Sequence, residues 1–273
     1  MKSNLLNTLI LAALAAPGVA MAADAAPTPE HTVTSNMGIV SNYVYRGITQ
    51  TQSAPAIQGG LDYAHSSGLY AGVWGSNVGW ITGSGAAGNA SLEMDTYAGY
   101  KGAATADVSY DVGAIRYNYL GTYTPAAGGY VKADTAEVYG SVAYQWLSAK
   151  YSYALGDFLT VPKAQGTSYL ELNASYALAD TGYTLGAHYG KQTYKGTFAD
   201  TLAATNSAAG INQTATYSDY KLSVTKDISG YVLGLAYTNT NAKQGGYYTF
   251  NDANGSPKNW GRSAVAVSLT HAM

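Results

Sequence analysis

The chain of 273 residues has no cysteine, so no disulfide holds it together. Charge is scarce. Asp, Glu, Lys and Arg make up 11% of the residues, against about 25% in an ordinary soluble domain. The net charge is −2, and no basic run or patch suits a phosphate backbone. Nucleic acid is therefore not an expected partner. Past residue 23 no apolar run approaches the ~18 residues of a spanning helix, which excludes a helical membrane protein. Phenylalanine is nearly missing, with 3 residues, and tryptophan has 4.

Tyrosine is present instead, 26 times, and glycine 32 times. Tyrosine suits positions where one end of the ring is dry and the other wet. The N-terminus reads as a secretory signal over residues 1–22. Lys2 is the positive n-region, residues 5–16 are the short apolar segment, and Ala20-Met21-Ala22 is the small-x-small cleavage site. Residues 23–31, with Pro27 and Pro29, read as a short periplasmic tail with no room for a plug or passenger domain. Residues 32–273 are then one domain.

That domain repeats one arrangement. Residues 57–65 and 69–77 are strand-like runs separated by Ser66, Ser67 and Gly68. In the first, Ile57, Leu61 and Tyr63 alternate with Gln58, Gly60 and Asp62, the period of a strand with one face in an apolar medium. Ser-Ser-Gly is tight-turn chemistry. Strands are expected over about 32–41, 57–65, 69–77, 91–100, 105–118, 134–146, 147–155, 168–177, 182–192, 215–226, 231–240 and 262–271. The apolar–polar parity breaks at Ile115-Arg116, which predicts a bulge or the interface there.

Short and long connections alternate along this series, and all seven prolines fall outside the strands. Proline cannot donate to a ladder, so a closed sheet excludes it, and a bilayer enforces the exclusion because no water reaches an unpaired amide. The polar faces hold mainly Ser, Thr, Asn, Gly and Tyr rather than the Lys, Arg and Glu of a soluble sandwich. The expected fold is all-β. It is a transmembrane antiparallel up-and-down β-barrel of about 12 strands, with short periplasmic turns and long extracellular loops. Tyrosine near strand ends fits aromatic girdles. Trp74, Trp80 and Trp260 fall near the long loops, and Trp146 at a short turn.

The stretch Ser41-Asn42-Tyr43-Val44-Tyr45-Arg46-Gly47-Ile48-Thr49-Gln50-Thr51, followed by residues 55–63 and 68–77, closely resembles the opening of the TorF-like porin family of exported proteobacterial proteins. Glu93-Met94-Asp95-Thr96-Tyr97-Ala98-Gly99-Tyr100 is similar to its next segment. The resemblance covers about a quarter of the chain. It implies an outer-membrane barrel regarded as a pore, with no stated substrate and no catalytic residue. One departure is the C-terminus: such barrels usually end in an aromatic residue, and this chain ends Leu269-Thr270-His271-Ala272-Met273.

No motif points to catalysis or to a cofactor. Gly83-Ser84-Gly85-Ala86-Ala87-Gly88 matches G-x-G-x-x-G, but a strand follows it where a dinucleotide site needs a helix. Asp252-Ala253-Asn254-Gly255 has Phe250 and Gly261 where a calcium loop needs carboxylates. His31, His65, His188 and His271 show no metal-ligand spacing, so no metal is expected. His188 has Ser175 and Asn173 one strand away, all facing inward, and an enzyme is not expected.

Parity places Asp62, Glu93, Asp95, Asp107, Asp111, Glu137, Lys150, Glu171, Asn173, His188, Asp219 and Lys221 on the inner face as pore-lining residues. An inward acidic excess favours cations. Arg46, Arg116 and Arg262 are expected at the outer rim, near lipopolysaccharide phosphate or loop carboxylates. Outer-membrane lipids, the barrel-assembly machinery and small hydrophilic solutes are the expected partners, in the Gram-negative outer membrane after export. Two functions stay open: passive diffusion of hydrophilic solutes with mild cation preference, or a closed structural or adhesive barrel acting through loops such as 245–260. Tyr70, Tyr97, Tyr139 and Tyr169 fill much of a twelve-stranded lumen under the second.

Overall fold

The computed structural model describes residues 29–83, 89–123, 131–197, 215–242, 248–251 and 256–273. The signal segment 1–22 lies outside the described residues, as do residues 84–88 and 252–255 of the two loop motifs. In chain order the strands are β1 (His31–Val40), β2 (Val44–Tyr45), β3 (Ile48–Thr49), β4 (Ala56–His65), β5 (Leu69–Asn77), β6 (Leu92–Ala103), β7 (Val108–Leu120), β8 (Thr135–Tyr144), β9 (Leu147–Ala154), β10 (Ser168–Leu178), β11 (Tyr183–Thr193), β12 (Tyr217–Ile228), β13 (Tyr231–Thr240), β14 (Thr249–Asn251), β15 (Pro257–Asn259) and β16 (Ala264–Ala272). One helical turn, α1, spans Trp80–Gly83. Among the described residues, no helix is long and apolar enough to cross a membrane.

Twelve strands form a closed antiparallel barrel in the order β1-β16-β13-β12-β11-β10-β9-β8-β7-β6-β5-β4, with β4 returning to β1. Closure gives every strand two neighbours, so no row of amides is left bare. The pairs β2–β3 and β14–β15 are separate two-stranded ribbons in the long connections. Pro257 opens β15, outside the barrel wall, where a missing donor is tolerated. The short turns have the chemistry that hairpins need. Ser229 and Gly230 both adopt positive φ, at 56° and 89°, the type I′ geometry that matches strand twist.

The outer surface is apolar across the middle of the barrel. Leu170, Leu172, Leu185, Leu222, Leu233, Leu235, Val265 and Val267 are all exposed there, Leu222 by 58%. A continuous apolar belt on a closed barrel is stable only against lipid. Tyr63, Tyr100, Tyr144, Trp146, Tyr176, Tyr183 and Tyr231 are exposed toward the short-turn end, and Tyr153, Tyr189, Tyr220 and Tyr237 toward the long-loop end. Tryptophan does not complete the second girdle. Trp74 and Trp260 are buried, and Trp80 packs on the cluster that contains Tyr119.

The ladder is unbroken at Ile115-Arg116, where a bulge or the interface was expected. Ile115 pairs with Tyr97 and Glu137, and Arg116 with Thr96 and Ala136. What changes there is the interior. Along β7 the inward side chains run from Ser109 and Asp111 to Ile115, Tyr117 and Tyr119, the last three buried. The break in parity marks the level at which the lumen stops being polar and becomes packed. Tyr43, Tyr45, Trp74, Ile115, Tyr117 and Tyr119 form one apolar cluster near the long-loop mouth. Phe158, Val161, Tyr194, Tyr217 and Tyr248 belong to a second.

Candidate functional site: a lumen narrowed at one mouth by an inward hairpin

The long connection after β1 turns into the barrel. Its β2–β3 ribbon pairs Val44 with Thr49 and Tyr45 with Ile48. Arg46 and Gly47 make the turn, with φ of 47° and 77°, again the type I′ pattern. A Cβ on Gly47 would stand 2.5 Å from Thr240 Cγ2 and 2.6 Å from Asp219 Cβ. The tip therefore needs glycine twice, for its backbone angle and for its approach to the wall. Within the hairpin, Thr49 donates its hydroxyl to Asn42, and Thr51 Oγ1 accepts the Tyr43 amide at 3.1 Å.

Arg46 is the centre of this plug. It was expected at the outer rim, and it is 8% exposed inside the barrel. Its guanidinium donates to Glu137 Oε1 at 3.0 Å and Oε2 at 2.7 Å, a bidentate pair, and to Gln192 Oε1 at 3.0 Å. The rings of Tyr169 and Tyr45 lie 4.4 and 4.8 Å from its central carbon, within cation–π range. Tyr217 donates to its backbone oxygen at 2.7 Å. Burial opposes the arginine charge, and the Glu137 carboxylate more than offsets that, holding the group well above its ordinary value. The connection between the expected strands 32–41 and 57–65 falls among the long extracellular loops. The lumen wall is itself polar here, so the segment folds inward and finds its partners there.

Tyr43 anchors the other side. It donates to Glu93 Oε1 at 3.0 Å and packs edge-on against Trp74 at 5.6 Å. Burial, then the nearby Glu93 and Asp95 charges, raise its phenol well above 10. Tyr45 Oη donates to Tyr117 Oη at 3.1 Å, and burial raises it in the same way.

Beneath the plug lies a layer of tyrosines. Tyr70 donates to Asp111 Oδ1 at 2.6 Å, and Tyr97 to Asp62 Oδ1 at 2.5 Å. Lys150 Nζ stands 4.0 Å over the Tyr139 ring. These rings lie across glycines of the adjacent strands. A Cβ on Gly72 would reach the Tyr97 ring at 2.5 Å, and one on Gly113 the Tyr139 hydroxyl at 2.6 Å. Glycine inside a strand marks such a close approach.

A third group sits on β10, β11 and β12. His188 Nδ1 is 2.6 Å from Asn173 Oδ1, and Nε2 is 3.1 Å from Asp219 Oδ1 and 2.9 Å from the Tyr169 hydroxyl. Tyr169 donates to Asp219 Oδ2 at 2.9 Å. Glu171 Oε2 lies 3.7 Å from His188 Nδ1. Ser175 pairs across to Gly186, away from this histidine.

The sequence-predicted residues thus separate into three groups. Asp62, Asp111, Asn173, His188 and Lys221 face inward and stay partly accessible. Glu93, Asp95, Glu137, Lys150, Glu171 and Asp219 face inward but are buried; Glu137 is sealed beneath Arg46 and Glu93 beneath Tyr43. Asp107 lies in the exposed turn before β7 rather than on the wall. At the rim, Arg116 points outward, bonds Asn118 Oδ1 at 2.8 Å and shares Asp134 with Lys132. Arg262 is exposed beside a cleft lined by Ser41, Asn42 and Trp260. Gln192, Tyr169 and Tyr217 were not foreseen as partners of Arg46. One arc of the lumen is uncharged: β13, β16 and β1 present Gly234, Ala236, Thr238, Ala266, Ser268, Thr270, Thr34 and Asn36 inward.

Several solved barrels are similar in shape. The KdgM porin, solved in complex with disordered oligogalacturonate, gives a TM-score of 0.47 at 8% identity, over 88% of this chain and 98% of its own. The NanC porin gives 0.47 at 8% identity over the same shares. A variant of OccD1 (OprD) gives 0.41 at 13% identity, over 91% of this chain and 67% of its own. A comparison with curated proteins gives no match. Residues 24–273 match the family described as "Bacterial protein of unknown function (Gcw_chp)", and the chain belongs to that family.

Proposed function

We propose that this chain is an outer-membrane channel for small hydrophilic solutes, related to the TorF-like porins and reached by signal-peptide export. The observation that supports this most directly is the lower lumen. Asp62, Asp111, Asn173, His188 and Lys221 point into the barrel and keep contact with solvent, as residues along a water path do. The inward acidic residues Asp62, Glu93, Asp95, Asp111, Glu137, Glu171 and Asp219 outnumber the inward Arg46, Lys101, Lys150 and Lys221, which favours cations. The rim groups Arg116, Lys132 and Arg262 suit lipopolysaccharide phosphates. Periplasmic short turns and extracellular long loops complete the reading.

Planar-bilayer recording of the purified barrel tests it. Discrete conductance steps with a cation-selective reversal potential are expected, and Asp62→Asn with Asp111→Asn shifts that potential toward zero. Anion selectivity in the unaltered protein refutes the charge argument. A second reading, a closed barrel acting through its loops, draws on the packed mouth around Arg46. Under it, no steps appear in the unaltered protein.

A further inference from the structure

The β1–β4 ladder brings His65 beside Glu30 and His31, which are neighbours in the chain. His31 opens β1 and His65 ends β4, and the two are direct partners in the antiparallel ladder. Both side chains lie on the outer face at the short-turn rim. Their ring centroids are 5.2 Å apart. Glu30 precedes His31, and its carbonyl accepts the Ser66 amide at 2.9 Å, which ties it to the β4–β5 turn. Its carboxylate Oε1 stands 3.6 Å from His65 Nε2. One ligand atom from each of Glu30, His31 and His65 lies within 4.8 Å of the others.

The rings are also oriented. His31 Nδ1 is 2.8 Å from the Tyr63 hydroxyl, and His65 Nδ1 is 2.7 Å from Ser67 Oγ. A hydrogen bond to the second ring nitrogen is the feature that aligns metal-bound histidines. With the Nδ1 proton donated to these hydroxyl oxygens, each Nε2 lone pair is free. In His65 that state replaces the 3.1 Å contact in which the Ser67 amide donates to Nδ1.

We propose that Glu30, His31 and His65 form a binding site for a divalent transition-metal ion of the Zn²⁺ or Cu²⁺ class, with water completing the coordination. Two imidazoles and one carboxylate select these borderline ions over Mg²⁺ and Ca²⁺, which prefer all-oxygen sets. Exposure of the rim leaves room for the water ligands. The ion joins the start of β1 to the end of β4. Nothing in this site depends on the channel reading.

The full mature chain, folded in detergent, is titrated with Zn²⁺ alone by calorimetry. One ion per chain is expected, and the thermal midpoint rises with Zn²⁺. The His31→Asn/His65→Asn double variant loses both effects, whereas His271→Ala keeps them. Ser67→Ala weakens binding by about tenfold, the loss expected of a residue that only orients a ligand. Cu²⁺ added to the unaltered protein gives an electron paramagnetic resonance spectrum with coupling to two nitrogens. A spectrum without nitrogen coupling, or Zn²⁺ binding of unchanged stoichiometry and affinity in the double variant, overturns the proposal.

Discussion

Removing the Arg46 guanidinium tests the plug most directly. In Arg46→Ala, Glu137, 1% exposed in the docked state, loses both bidentate hydrogen bonds. Breaking a buried pair from one side costs about 3–5 kcal/mol, because the remaining ion is uncompensated. Every 1.4 kcal/mol is a factor of ten, so the undocked hairpin gains roughly 10²-fold or more in population. The barrel strands do not include Arg46, so the barrel survives and the mouth widens. Single-channel recording then shows a larger or longer-lived conductance in Arg46→Ala than in the unaltered protein, and Glu137→Gln shows the same direction. Replacing both partners at once, Arg46→Met with Glu137→Met, leaves no orphaned charge. That exchange is about neutral in other buried pairs, so the double variant returns toward the original trace. Equal conductance in all four proteins refutes the claim that this ion pair narrows the mouth.

Two further outcomes follow from the same contacts. The Tyr43 and Tyr45 phenols are raised by burial above their ordinary value of 10, so the docked hairpin favours their neutral forms. Docking is at full strength below about pH 10 and weakens above it, because the released loop ionises there and the docked loop does not. Conductance measured across pH 9–12 rises at the alkaline end, and Tyr43→Phe with Tyr45→Phe flattens the rise. Separately, Gly72→Val places a Cβ against the Tyr97 ring. Overpacking of this kind costs about 1–3 kcal/mol, seen as a lower urea midpoint in liposome folding, while Ala71→Val on the outer face of the same strand leaves the midpoint unchanged.

The wall was readable because lipid imposes one simple rule on every outward residue. Alternation placed residues 69–77 and 231–240 on their observed strand ends, Leu69–Asn77 and Tyr231–Thr240. The inside obeys no single rule. Ile115 and Tyr117 face inward like Asp111, but into a packed mouth, so a change of environment imitated a change of register. Arg46 looked like a rim charge because nothing in a polar loop states which way it folds. The counter-charge that draws it inward is 91 residues away. His31 and His65 showed no ligand spacing because their nearness is a property of the β1–β4 ladder and not of chain distance.

The uncharged arc of β13, β16 and β1 faces a wall that carries the inward carboxylates and ammoniums among the described residues. A lumen so divided sets up a field across its width rather than along its axis. An elongate dipolar solute entering such a lumen would be turned by that field, with one edge held toward the same strands. A lumen of this kind would sort solutes by how charge is distributed around their girth, a discrimination that bore diameter alone does not supply.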